Sequence, residues 1–379
     1  MESTMTILPS TTEPAESPTL KPTRYIDITA GSQLSSNADI GVAAYLLFIW
    51  VLSLYANGVV LIGIARQKGH ILPLDILMGF LAVSNGLLAL TTYPMVGVSL
   101  ISHYWMFGHA GCVGYAFVTM FLGLASIFDL PGIAYVLYST VSAKHTVSTV
   151  RAGQGNTKCQ CGIVWIIIPA ICAMSFLLCM LPIIGMGEYG IGKHGSSCTI
   201  KWSTKSLISV FYITILMITG FVIPVTLTAI FYYRVISHLR SLKRRYVNMD
   251  FAKKWTKVQN DTLMMTLAVG ICMIVCWAPY AVVASWETFF DPSTLPVQLE
   301  ATAAFTAKSS TAFTPLVHLC FTKKCRQWLR RTLFCFKHSD GSPSQQTSQT
   351  QMTQLIPKST TMPSVSVRRS SLPSNILDQ

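Results

Sequence analysis

Seven long apolar stretches alternate with short polar segments along the chain. They run Ile40–Ala65, Leu72–Ser99, Cys112–Thr140, Gly162–Gly185, Leu207–Ile236, Thr262–Trp286 and Leu295–Phe321. Crossing about 30 Å of hydrocarbon takes about 20 mostly apolar residues, so each predicts a membrane-spanning helix. Residues 1–39 are rich in Ser, Thr, Pro and Glu and lack a basic n-region followed by an apolar h-region, which predicts a disordered leader. Residues 322–337 hold a basic, aromatic, amphipathic run, Cys325–Phe336, which predicts a short eighth helix lying in the interface. Residues 338–379 predict a disordered Ser/Thr-rich tail. The fold class expected is an all-α membrane protein, a seven-helix bundle.

Composition agrees with that pattern. Of 379 residues, 51% are hydrophobic and only 11% charged, against about 25% charged in a soluble domain. The net charge of +13 could suggest a nucleic-acid partner. The basic residues instead flank apolar spans, so membrane lipid is the expected neighbour and no nucleic acid is expected. They also set an orientation. Arg66 and Lys68, then Lys144, Arg151 and Lys158, then Arg240, Lys243–Arg245, Lys253, Lys254 and Lys257, then Lys323, Lys324, Arg326, Arg330 and Arg331 fall on one side. Glu2, Glu13, Glu16, Asp27, Glu188, Glu287 and Asp291 fall on the other. Cytoplasmic loops carry the Lys/Arg excess, which predicts a plasma-membrane protein with its N-terminus outside and C-terminus inside. The eleven cysteines show no zinc spacing, and no metal or hydrolytic motif is read. Cys335, between two phenylalanines, is a candidate palmitoylation site or an unmodified interfacial cysteine.

Pro182, Pro224, Pro279 and Pro315 are read as kinks in helices four to seven. Asn57, Trp165 and Trp277 are read as facing the bundle. With these, Asn57-Gly58, Leu81-Ala82-Val83, Cys112, Trp165, Cys198, Pro224 with Tyr232, Cys276-Trp277-Ala278-Pro279-Tyr280 and Pro315 form a pattern. It resembles the rhodopsin-like class of G-protein-coupled receptors, from about Ile40 to Phe336. The resemblance implies a disulfide between Cys112 and Cys198 that pins the second outer loop over the bundle.

Lys308 stands in Ala-Phe-Thr-Ala-Lys-Ser-Ser-Thr-Ala-Phe, with no other charge until Lys323. A lysine at the bilayer centre costs roughly 2.5–3.5 kcal/mol or more, so it is a functional candidate by default. The bland alternative is a lysine that snorkels or pairs with a carboxylate; its position seven residues before Pro315, well inside the span, argues against snorkelling. A neutral amine held away from water can attack an aldehyde. Ala307-Lys308-Ser309 falls where opsins keep their retinal lysine, and the resemblance narrows there to the opsin family. Trp105–Cys112, Gly185–Tyr189, Ser197–Trp202, Trp277–Val283 and Leu295–Leu299 are most similar to the neuropsin-like group. The resemblance implies retinal, 11-cis or all-trans, in a Schiff base on Lys308, with Trp277 and Tyr280 along the polyene and Tyr115 near the Schiff base. It implies a photoreceptor rather than an enzyme.

Departures from the family are concentrated around charge. Visual opsins place a counterion glutamate three residues after the helix-three cysteine, where this chain has Tyr115; many others place it six residues before the outer-loop cysteine, where this chain has Gly192. Glu188 and Glu300 are the nearest candidates, although Glu300 lies eight residues before Lys308, about 12 Å along a helix. The expected consequence is an unprotonated Schiff base and ultraviolet or short-wavelength absorption. Asp/Glu-Arg-Tyr is replaced by Val136-Leu137-Tyr138, the helix-six acid by Gln259, the helix-two aspartate by Asn85, and Asn-Pro-x-x-Tyr by Thr314-Pro315-Leu316-Val317-His318. Helix three also carries Asp129, Pro131 and Gly132, and Asp129 is read as a protonated residue bonded to a helix-four neighbour. Coupling to a heterotrimeric G protein is therefore expected to be atypical or weak. Ser370 and Ser371 are candidate receptor-kinase sites for arrestin. Two other readings stay open: a retinal photoisomerase or binding protein without G-protein signalling, and a receptor for a diffusible ligand.

Overall fold

The computed structural model describes residues 31–67, 71–142, 157–245 and 250–321. The leader up to residue 30, the eighth-helix segment with Cys335, and the tail lie outside the described residues. Seven helices account for nearly all of the rest. Helix α1 spans Ser36–Ala65, α2 Pro73–Ile101, α3 Gly108–Ser142 and α4 Thr157–Met180. Helix α5 spans Leu207–Arg245, α6 Asp250–Phe289 and α7 Val297–Phe321.

Local chemistry sets the ends. Helix α1 begins four residues before the predicted boundary because the Ser35 side chain accepts from the Ala38 N–H at 3.3 Å. Helix α2 opens on Pro73, whose missing N–H costs nothing in the first turn, and Asp75 accepts from the Leu72 N–H at 3.3 Å. Asp291 accepts from Ser293 N–H at 2.9 Å and starts the short turn Pro292–Thr294 ahead of α7. That backbone donor holds the Asp291 carboxyl below its usual range. Helix α4 stops at Met180, so Pro182 follows the helix and kinks nothing. In α5 a π-turn, Ile218–Val222, precedes Pro224, which cannot donate to the carbonyl four residues back.

Helix α3 is well enclosed, touching α2, α4, α5 and α6. Outward positions such as Phe48, Leu177, Val275 and Val282 are exposed and apolar, as a lipid-facing surface requires. Trp165 is among them, 67% exposed, so it faces outward and not into the bundle. Among the described residues, six helices are long and apolar enough to cross a membrane. Helix α7 is not among those six: Glu300, Lys308, His318 and a series of hydroxyl residues interrupt it.

Among the described residues, one β-hairpin joins the helices of the all-α bundle. Strand β1, Tyr189–Ile191, pairs antiparallel with β2, Cys198–Ile200. The Cys112–Cys198 disulfide ties it to the start of α3. The hairpin closes that end of the bundle, called the disulfide end below.

Candidate functional site

Lys308 is held in place by its backbone. The Tyr93 hydroxyl of α2 donates to the Lys308 carbonyl at 2.6 Å and lies 2.8 Å from Thr311 Oγ1. Tyr45 of α1 bonds Ser309 at 2.7 Å. One turn later Pro315 leaves the Thr311 carbonyl without its helical donor. Asn57 Nδ2 supplies one at 2.9 Å, and Ser53 Oγ a second at 3.2 Å. Helix α7 is thus fixed in rotation and depth at the lysine and through the turn that follows it.

The Lys308 side chain enters a cavity of about 1100 Å³, mouth included, between the hairpin and α3, α5, α6 and α7. The walls are mainly apolar, with Ala116, Leu124, Met217 and Phe221 among them. No hydrogen bond or ion pair to the Lys308 amine occurs among the described residues; the amine lies over the Phe305 ring, 5.5 Å from its centroid.

Trp277 and Tyr280 line the same cavity from α6. The Trp277 N–H donates to Ser310 Oγ at 3.1 Å, tying α6 to α7. Its ring presses on α3 where Gly123 leaves room: a Cβ there would lie 2.8 Å from the indole. Tyr280 bonds Thr199 of the hairpin at 2.6 Å and meets Trp202 edge-on at 5.9 Å. Tyr115 does not line the cavity. Its ring packs edge-on against Trp105 at 5.2 Å, and Thr119, one turn further along α3, takes the lining position.

The two carboxylates singled out in sequence part company. Glu188 pairs with Lys201 at 2.8 Å and stays out of the cavity wall. Glu300 lines it. Its Oε1 accepts from the Lys193 N–H at 3.2 Å and lies 3.5 Å from His194 Nδ1. Glu287 is taken by Lys193 Nζ at 2.7 Å. His194 and Ser197, which also line the cavity, were not legible in the sequence, because Gly-Lys-His-Gly-Ser-Ser reads only as a loop.

At the opposite end, Leu137 packs with Tyr232, Val235, Leu239, Trp255 and Leu263 in an apolar cluster. Val136 is buried too, and Arg234 sits 5.9 Å from the centre of the Tyr138 ring. Thr314, Pro315 and His318 border a small cavity with Asn57 and Asn85. Asp129 is fully buried, but neither carboxyl oxygen has a hydrogen-bond partner among the described residues, so the expected bond to helix four is not seen there.

Residues 56–318 match the family model described as 7 transmembrane receptor (rhodopsin family). The chain belongs to that family. This receptor is similar in fold to squid rhodopsin, with a TM-score of 0.70 at 18% identity over 81% of this chain and 90% of the other. It is 28% identical to the visual pigment-like receptor peropsin of Mus musculus over 308 residues, 81% of this chain and 88% of that one. It is 24% identical to opsin-5 of Homo sapiens over 295 residues, 76% and 79% of the two chains. The opsin resemblance holds with these relatives, and opsin-5 answers its neuropsin-like part.

Proposed function

We propose that this receptor is a light sensor of the opsin type that holds retinal, 11-cis or all-trans, as a Schiff base on Lys308. The observation that carries the reading is the Lys308 amine: it lines an apolar cavity with no ion-pair partner among the described residues. An amine without a counter-charge in low dielectric favours its neutral, nucleophilic form. Retinal would supply the absorption of light and the change of shape that follows. The chain's own residues hold the site. Trp277 and Tyr280 flank the cavity, and Tyr93 and Asn57 fix the helix that carries the lysine. With no carboxylate within 4.0 Å of that amine among the described residues, the Schiff base is unprotonated in the dark and the pigment absorbs in the ultraviolet.

The receptor sits in the plasma membrane with the disulfide end outside, as the Lys/Arg excess at the far end of α5 supports. Coupling to a heterotrimeric G protein is weak, because Leu137 packs in an apolar cluster where the family keeps an arginine. The same observation favours a second reading, a retinal photoisomerase that does not signal. Arrestin and a receptor kinase act through Ser370 and Ser371 in the tail, and Cys335 carries a lipid.

The test is an absorption scan of the expressed protein with 11-cis and with all-trans retinal, followed by borohydride trapping. The expected result is an ultraviolet pigment with a trapped adduct on Lys308, both absent in Lys308→Ala. Retinal bound identically by Lys308→Ala would sink the attachment, and a dominant visible band at neutral pH would sink the ultraviolet assignment. Light-driven isomerisation without nucleotide exchange on any G protein would select the second reading.

A further inference from the structure

The outward faces of α5 and α6 change character along their length. On α6, Val282, Val275, Ile271 and Met264 are exposed and apolar. Steps of seven and four residues keep them on one side of the helix. Continued by the same steps, that side next presents Lys257 and Lys253, both exposed. On α5, Tyr233 is 74% exposed. Arg240 and Arg244 follow it on the same side and are exposed too, about 10 and 16 Å further along the axis. The side of each helix that faces lipid therefore runs straight into positive charge.

Those charges stand on a fixed frame. On the inner side, Val235 and Leu239 of α5 pack with Trp255 and Leu263 of α6 in one buried cluster. Little negative charge opposes them. Helix α5 contains no Asp or Glu. Asp250 of α6 bonds Lys253 at 3.1 Å, and Asp261 stands one turn from Lys257. From Arg234 to Lys257 the sequence holds eight Lys and Arg against one Asp, and a basic cluster of that size beside a span attracts polyanionic lipid. Arg234 itself is turned aside, over the Tyr138 ring of α3.

We propose that this face binds the headgroup of a polyphosphoinositide, gripped by Arg240 and Arg244 of α5 and by Lys253 and Lys257 of α6. The guanidinium forks suit phosphate oxygens two at a time, and the lysines add point charges. Arg240, Arg244 and Lys257 are in no ion pair among the described residues, so they are free to meet several phosphates. The occupant is a lipid and not a soluble phosphate, because the apolar part of the same stripe lies where acyl chains run. In the cell that leaflet is the cytoplasmic one, a clause that rests on the orientation proposed above. One headgroup reaching both helices would clamp their ends over the Trp255 cluster.

The test uses full-length receptor in phosphatidylcholine nanodiscs, without retinal, titrated with fluorescent phosphatidylinositol 4,5-bisphosphate. Saturable binding is expected, with phosphatidylserine at equal total charge and soluble inositol trisphosphate each competing at least about tenfold more weakly. Arg240→Gln, Arg244→Gln and Lys257→Gln together should weaken binding at least about tenfold, whereas Lys243→Gln, Arg245→Gln and Lys254→Gln, which remove the same charge from other sides, should change it less than about threefold. Equal weakening by the two triple variants, or equal competition by phosphatidylserine, overturns the proposal. Equal competition by inositol trisphosphate overturns the choice of a lipid. A second measurement needs no variant: the phosphoinositide should raise the thermal unfolding midpoint of wild-type receptor, and no rise beyond that given by phosphatidylserine at equal charge also overturns it. Because retinal is absent throughout, failure here leaves the attachment at Lys308 untouched, and an inverted glycosylation pattern would overturn the cytoplasmic placement alone.

Discussion

At the scale of single residues, the site depends as much on what is missing as on what is present. Gly123 has no chemistry of its own, yet a Cβ there would lie 2.8 Å from the Trp277 indole, closer than side chains tolerate. Gly123→Ala should displace that ring, slow retinal uptake several-fold and cost about 1–3 kcal/mol of stability, as overpacking does. Pigment regeneration kinetics and thermal unfolding would check it; unaltered uptake would mean that the indole does not shape the cavity. Lys308 was legible in the sequence because a charge inside an apolar run stands out without any neighbours. Gly123, His194 and Ser197 were not, because their roles exist only once distant segments meet. Trp165 was misread for a related reason: its type suggests an interior position, but only the rotation of α4 decides which way it faces.

At the scale of elements, the prolines divide the bundle into fixed and loosened segments. Pro315 frees the Thr311 carbonyl, and Asn57 answers it from α1. Asn57→Ala should leave that carbonyl with only the longer Ser53 bond and cost about 1–3 kcal/mol. In a Pro315→Ala background the loss should shrink, since residue 315 regains the N–H that reaches back to Thr311. A double-mutant cycle on thermal stability measures the coupling, and strictly additive losses would refute it. The spans themselves were legible from length and hydropathy, but their ends were not. Helix α6 begins at Asp250, twelve residues before the predicted start, because hydropathy marks where a helix meets lipid and not where its hydrogen bonds stop. The hairpin strands, three residues each, are too short to show alternation.

At the scale of the whole molecule, orientation follows from charge that no single helix reveals. The leader contains no glycosylation sequon. An Asn-x-Thr acceptor engineered into residues 1–30 should be glycosylated in eukaryotic cells, and one placed beyond His338 should not. Endoglycosidase-sensitive mobility on a gel reads both, and the reverse pattern would invert the topology. Helix α7 carries the receptor's most consequential residue and is not among the six helices apolar enough to span alone. It is also the last span synthesised. Its entry into the membrane must lean on partners already in place: Asn57 of α1, Tyr93 of α2 and Trp277 of α6. Biogenesis and light sensing would then share one bottleneck. A ligand that binds only the folded bundle draws the folding equilibrium toward it, so supplying retinal during synthesis should raise the yield of mature receptor, and damage to those three anchors should surface first as retention in the secretory pathway.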